Sequence, residues 1–250
     1  TFKPSGITPR KFQYQLTQWA KRSKKHIVLA EGNDERILKA AARLINQEIV
    51  DITLLGDTAD IKAIANRLDI NLDFDKVRIV NPAYDQHYDD YVNTLFELRK
   101  GKNVTLEMAR DLMTDVSYFG TMMVYKGHAD GMVSGAVNTT LHTIRPALQF
   151  IKTRPGISVV SSIFFMCLPD RVSVFGDCAV NPNPTAEQLA EIAISSADSS
   201  QRFGIEPRVA MLSYSSGTSG EGEDVEKVRR ATEIVKLKRP FGKRAPVLTS

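Results

Sequence analysis

The 250 residues are 42% apolar and 25% charged, enough for one or two globular domains with a buried core. No apolar run approaches the ~20 residues of a membrane-spanning helix, and the opening Thr1–Gly6 stretch carries no apolar signal core. Lys plus Arg number 33 against 29 Asp plus Glu, a net charge of +4 that suits an anionic small molecule and is too diffuse for nucleic acid.

The two cysteines, Cys167 and Cys178, supply neither a disulfide framework nor a metal cluster, and a reducing, cytoplasmic setting is expected. Both are read as core residues of strands. The chain begins without Met, so a segment upstream is expected.

In chain order, residues 7–24 predict an amphipathic helix with Thr8 as N-cap and Pro9 at its first position. His26–Ala30 is a short, nearly continuous apolar strand of the buried parallel type. A helix follows, capped by Asn33 or Asp34, with Ile37, Leu38, Ala41, Ala42 and Ile45 inward. Its acidic first turn is explained by capping and the helix dipole, and Arg36 either serves that helix or faces an anion. Val50–Leu55 is a second strand, Thr58–Leu68 a helix, and Val77–Val80 a third strand. This β-α-β-α-β order predicts a doubly wound sheet with right-handed crossovers. No G-x-G-x-x-G follows the first strand, which leaves a nicotinamide dinucleotide unsupported.

Asp85–Lys100 predicts a helix with Tyr88, Tyr91, Val92, Leu95 and Leu98 mainly inward and Gly101 as its stop. Arg99 is accounted for there by the helix C-terminus. Two shorter helices follow, at 105–113 and 117–126.

Asp130–Thr153 is the stretch around which the chain is organised. Met132–Val133 reads as a strand, Ser134–Thr140 as a small-residue loop, and Leu141, Ile144, Leu148 and Ile151 recur at helical spacing. Such a loop turns N–H groups and hydroxyls toward one spot at a helix start, and Arg145 lies one turn on. The same pattern also suits an ordinary βα connection with a threonine cap.

After Pro155–Gly156, the candidate domain boundary, Ile157–Leu168 and Arg171–Cys178 predict an antiparallel hairpin. Thr185 and Gln188 form a capping box for a helix to Phe203. Pro207–Leu212 is a strand, and Glu221–Leu237 a helix. The Ser213–Gly220 loop between them is a second hydroxyl-and-glycine loop, suited to phosphate or equally to a flexible connection. The basic stretch 238–250 is unpatterned and completes no element.

These residues resemble the phosphate acetyltransferases (phosphotransacetylases) over about positions 9–240. The runs that carry the resemblance are Ile27–Arg36, Glu97–Lys100, Asp130–Ala136, Thr143–Gln149, Ile151–Thr153, Phe175–Ala179, Asn181–Ala193 and Arg208–Ser215. The opening Pro9–Leu16 and the Asn-Pro-Asn-Pro-Thr run are similar to the long bacterial form, in which this region follows further domains.

The resemblance implies a two-lobed α/β/α fold with a mainly parallel sheet, similar to isocitrate and isopropylmalate dehydrogenases. The lobes are expected at 1–155 and 156–250, bounding a cleft, with the 157–178 hairpin in the second. It implies the reversible reaction of acetyl-CoA and phosphate to CoA and acetyl phosphate, with coenzyme A as substrate, no bound cofactor and no metal. No nucleic-acid or membrane partner is expected, and a homo-oligomer is. The substrate-binding residues implied are Arg36, Arg99, Ser134, Gly135, Thr139, Arg145, Ser213 and Ser215.

The family's Asn-Asp-Leu-Ser-Arg-Gly motif and a nearby Asp, which supply oxyanion donors and the proposed base, have no counterpart before Ser250. From about Phe241 the resemblance ends. Little activity is therefore expected of these 250 residues alone. Related alternatives are a phosphotransbutyrylase and a regulatory module that binds acetyl-CoA without turnover.

Overall fold

Short apolar strands followed by capped helices build the first half of the molecule. In the computed structural model, which describes residues 7–214, 220–239 and 248–249, two compact units are present. Gln15–Lys152 form one; Thr1–Tyr14 and Thr153–Ser250 form the other. The boundary expected at 155/156 left residues 1–14 with the first lobe, whereas here they group with the second unit.

The 15–152 unit is a three-layer α/β/α arrangement. Strands β1 (His26–Leu29), β2 (Asp51–Leu55), β3 (Val77–Val80) and β4 (Gly131–Val133) form one sheet in the order β3-β2-β1-β4. Every pairing is parallel, with Ile27 opposite both Ile52 and Gly131. Successive strand residues point to opposite faces, so neighbours serve different cores.

Leu54 joins Leu29, Ile52 and Val77 beneath α2 (Glu35–Asn46) and α3 (Thr58–Arg67), where Leu38, Ala41, Ile45 and Ile61 meet them. Leu55 joins Val28, Ala30 and Val80 beneath α4 (Tyr88–Leu98), α5 (Leu106–Met113) and α6 (Val116–Tyr125). Both leucines are essentially inaccessible to water. Burial of this kind on both faces is what the near-continuous apolar strands demand.

Side-chain caps fix where the helices begin. Asp57 accepts from Ala59 and Asp60 N–H at 2.8 and 3.2 Å, and Thr105 from Met108 N–H at 3.1 Å. Tyr91, Val92 and Leu95 are fully buried on α4, but Leu98, expected inward, is exposed in its last turn.

In the second unit, the start of α1 (Pro9–Arg22) inserts Phe12 against Phe165 and Phe203, with ring centroids 5.2 and 6.4 Å away. Strands β5 (Ile163–Cys167) and β6 (Val172–Gly176) form the expected antiparallel hairpin as a separate two-stranded sheet. The first strand begins at Ile163 rather than Ile157. Cys167 is exposed and Cys178 only half-buried, so neither is the core residue expected: on a two-stranded ribbon one face lacks a covering layer.

Helices α8 (Ala186–Arg202) and α9 (Glu223–Lys238) pack through Ala190, Ala193, Ala231 and Val235 around Met211 of β7 (Ala210–Met211). The basic C-terminal stretch was expected to complete no element. Its Leu248–Thr249 (β8) instead pairs in parallel with β7, a backbone contact that needs no side-chain pattern.

The capping box on α8 is present: Gln188 N–H donates to Thr185 Oγ1 at 3.3 Å and Thr185 N–H to Gln188 Oε1 at 2.9 Å. Thr185→Ala is expected to cost ~1 kcal/mol, lowering Tm by roughly 2–4 °C for a chain of this size. Thr185→Ser keeps the acceptor and is expected to melt with the parent in calorimetry. Equal melting of Thr185→Ala and the parent would show that the box adds nothing to this helix.

Candidate functional site

The strand order places a topological switch between β1 and β4. The chain leaving β1 passes into α2 on one face of the sheet, while the chain leaving β4 passes into α7 (Thr140–Pro146), which packs with α6 on the other. Ligands of open parallel sheets bind outside the carboxyl ends of the strands at such a point. Most of the residues singled out in the sequence gather there.

After β1 the chain crosses the end of β2, with Gly32 N–H donating to Leu55 O at 3.0 Å. A Cβ on Gly32 would lie 2.6 Å from that same oxygen, so only glycine allows the crossing. Glu31, just before it, is buried, at 7% exposure. Its Oε2 accepts from Gly135 and Ala136 N–H at 3.0 and 2.7 Å, and its Oε1 from Val137 and Asn138 N–H at 2.9 and 2.8 Å. Gly135 has a φ of 111°, which side-chain-bearing residues rarely adopt, and this lets the loop turn its donors inward.

The loop was expected to offer its N–H groups to a substrate. Four of them are instead filled by the chain's own carboxylate. Glu31 was given no role of its own in the sequence; it lies ahead of α2, which begins at Glu35 with Asp34 as its cap. Burial alone would push the Glu31 carboxyl up; the four N–H donors outweigh it and hold its pKa below the ordinary value. A signal was present in the sequence, though it needed the pairing. Leu29 lies opposite Val133, so residues two beyond each strand, Glu31 and Gly135, fall at one level.

Arg36 lies over this loop. Its Nε and Nη2 donate to the two Asp34 oxygens at 2.9 and 2.8 Å, and Nη2 also donates to Ala136 O. The Arg36 guanidinium beside Asp34 lowers that carboxyl to about 2. Arg36 is thus an exposed, already paired cation that braces the loop from outside.

Thr139 acts as the cap of α7, accepting from His142 N–H at 3.3 Å. His142 Nε2 meets Asp115 Oδ2 at 2.8 Å, while Asp115 Oδ1 caps α6 through Ser117 and Tyr118 N–H at 2.9 and 3.2 Å. Asn138 Nδ2 donates to Ser117 Oγ at 3.4 Å. The loop is therefore tied to both β1 and α6.

Beyond it lies a second group, where donors lack partners. Tyr118 OH donates to Gln149 Oε1 at 3.1 Å, and Arg99 Nη1 reaches Gln149 O at 3.5 Å. Burial raises the Tyr118 pKa; the charges of Arg145 and Arg99 and the bond to Gln149 oppose it. Both arginines therefore stand within electrostatic reach of one phenol. Arg145 is exposed and makes no hydrogen bond or ion pair among the described residues. Arg99 Nε, Ser134 Oγ and Thr143 Oγ1 are buried without partners. Thr143 adjoins the loop, since a Cβ on Gly135 would be 4.0 Å from its hydroxyl.

The expected apolar stripe after the loop is present in spacing but not in burial. Leu141, Leu148 and Ile151 are exposed, and α7 gives way after seven residues to a π-type turn at Ala147–Ile151. Ser213 is half-buried in the second unit. Ser215 lies outside the described residues. No helix among the described residues is long and apolar enough to cross a membrane. Tyr118, Gln149 and Thr143 were missed by sequence reasoning because each belongs to an ordinary helical pattern.

Residues 11–243 match the family model described as phosphate acetyl/butaryl transferase. A phosphate acetyltransferase of Synechocystis is 61% identical over 240 residues, 96% of this chain and 34% of that protein. The chain spans about a third of the length of such relatives. Among solved structures, a phosphotransacetylase from Streptococcus pyogenes superposes with a TM-score of 0.88 at 40% identity, covering 97% of this chain and 74% of its own. One from Staphylococcus aureus gives 0.84 at 42%, covering 96% and 72%. A match that runs from the first helix past the last, with the same fold beneath it, decides the matter: this chain belongs to the phosphate acetyl/butaryl transferase family.

Proposed function

We propose that this chain is the acyl-transfer region of a phosphate acetyltransferase, moving acetyl reversibly between coenzyme A and phosphate. The observation that carries the reading is the set of unsatisfied donors beside the switch point. Arg99 Nε, Ser134 Oγ and Thr143 Oγ1 are buried without partners, and the Arg145 guanidinium is unpaired among the described residues. Buried polar atoms without partners are uncommon and need an explanation, which a bound anion would supply here. Two guanidiniums and two hydroxyls suit a phosphate, which offers several acceptor oxygens and negative charge.

In this reading Arg99 and Arg145 hold the phosphate, Ser134 and Thr143 fix its rotation, and Gly135 keeps the loop close. Thr139 and Arg36 act through structure, the one by starting α7 and the other by bracing Ala136. Ser213 and Ser215 are read as substrate-binding from the family resemblance alone. In the forward direction a phosphate oxygen attacks the thioester carbonyl. The C–O bond forms, the C–S bond breaks, and the proton lost by the hydrogen phosphate ends on the departing thiolate, whose thiol has an ordinary pKa of ~8.5. Holding the two substrates together removes much of the entropic barrier, and the arginines neutralise the charge of the phosphate as it attacks or leaves.

The test is phosphate-dependent release of CoA thiol from acetyl-CoA by the full-length protein, with butyryl-CoA alongside. Release from acetyl-CoA that requires phosphate or arsenate is expected. Preference for butyryl-CoA would move the assignment to butyryl transfer. Binding of acetyl-CoA without release would leave the non-turnover module.

A further inference from the structure

We propose that Glu31 is a positioning residue of this site: its carboxylate sets the shape of the 135–138 loop and thereby the places of Ser134 and Arg145. This rests on the function proposed above. Two consecutive N–H groups converge on each oxygen, at 2.7–3.0 Å, and the acid comes from a segment about a hundred residues away in sequence. The four donors lie between Ser134, whose hydroxyl is buried and unpartnered, and Thr139, which starts the helix bearing Thr143 and Arg145. The loop's other polar ties among the described residues are weaker in kind. One is Arg36 to Ala136 O, made by an exposed side chain, and another is Asn138 to Ser117 at 3.4 Å.

The chemistry required at position 31 is narrow. A carboxylate accepts at both oxygens. Glutamine, its isostere, presents an NH₂ to one pair of N–H groups, so two donors meet donors. Aspartate is one methylene short. Removing the side chain leaves a small hollow lined by four N–H groups, which matches a free carboxylate such as formate in size and charge.

The test uses the full-length protein as wild type, Glu31→Gln and Glu31→Ala. It reads hydrogen exchange at the 135–138 amides, kcat and KM for phosphate, and the response to formate. In both variants the four amides are expected to exchange at least about tenfold faster, by local opening. kcat/KM for phosphate is expected to fall roughly tenfold to a hundredfold, the loss typical of a charged hydrogen-bond partner. Formate should restore both exchange protection and turnover in Glu31→Ala, saturably. It should do neither in Glu31→Gln, where the side chain fills the hollow, and should leave the wild type unchanged.

Wild-type exchange at 135–138 in Glu31→Gln overturns the proposal, as does fast exchange with undiminished kcat/KM. So does a Glu31→Gln protein that is unfolded at room temperature, because the residue would then hold the fold rather than the loop. Failure of formate to slow exchange in Glu31→Ala also counts against it. A wild-type protein without acetyl transfer removes the proposed function instead, and the exchange arm then still decides whether Glu31 holds the loop.

Discussion

Arg145→Ala in the full-length protein is expected to lower kcat/KM for phosphate and acetyl phosphate by roughly tenfold to a hundredfold, the effect of losing one charged hydrogen-bond partner. Folding should be untouched, because Arg145 is exposed and makes no hydrogen bond or ion pair among the described residues that its removal could break. Arg145→Lys keeps the charge but loses the planar fork, and should fall between the alanine variant and the parent. Its charge already acts on Tyr118, as does that of Arg99, and neither guanidinium pairs with an acid among the described residues. Arg154, exposed in the other unit, is the control and should tolerate alanine. Steady-state kinetics beside a thermal melt decide the matter. Near-parental kcat/KM in Arg145→Ala would remove this residue from the anion site and leave Arg99 and the hydroxyls to hold it.

The largest effect on stability is expected at Asp177. Its carboxylate accepts from Ser162 N–H at 3.0 Å, from Ser162 Oγ, from Asn181 N–H and Nδ2 at 2.6 Å each, and from Ala179 N–H at 3.3 Å. Ser162 Oγ in turn accepts from Cys178 and Ala179 N–H at 3.0 Å each. The loop after the hairpin is thus wound around one side chain. Burial alone would raise this carboxyl, but the donors from Ser162, Asn181 and the backbone outweigh it and hold it well below the usual carboxylate range.

Removing it leaves several donors without an acceptor, at ~1–3 kcal/mol for each one kept from water. Asp177→Ala should therefore lose about 3 kcal/mol, or roughly 6–12 °C in Tm. The pH dependence has a fixed sign. A carboxyl whose folded pKa is depressed contributes fully above its unfolded value, ~3.9, and loses that contribution as pH falls through the folded value. The gap between parent and Asp177→Ala should thus be constant at neutral pH and close below about pH 4. A gap that persists unchanged into strong acid would mean that packing, not charge, is what the substitution removed.

Elements that rest on neighbours in sequence were legible before the structure. Asp34, Thr105 and Thr185 cap the helices that their chemistry announces, and Tyr91, Val92 and Leu95 are buried as their spacing requires. The parallel order of β1 to β3 follows from strands too apolar for anything but a two-sided core. What escaped detection depends on partners far along the chain. The spacing of Leu141, Leu148 and Ile151 gives a face but not what covers it, and in the structure they stay exposed. The pairing of Leu248–Thr249 with Ala210–Met211 is made by backbone alone. Of the candidate site, the loop and Arg145 stood out by residue type, whereas Arg99 had a local explanation at a helix C-terminus and entered only through the family resemblance. The role of Glu31 did not stand out, because an acid near a helix start already has a sufficient local explanation in the dipole.

The filling of the 135–138 donors from within the chain also bears on the timing of order. A glycine-containing loop of unpaired N–H groups would be a flexible segment that each incoming anion had to freeze, and the entropy of freezing would be subtracted from every binding event. With Glu31 already seated, that ordering is completed once, when the chain folds. If the loop serves the phosphate site proposed above, the buried hydroxyls at its edge would meet their ligand without first having to be arranged.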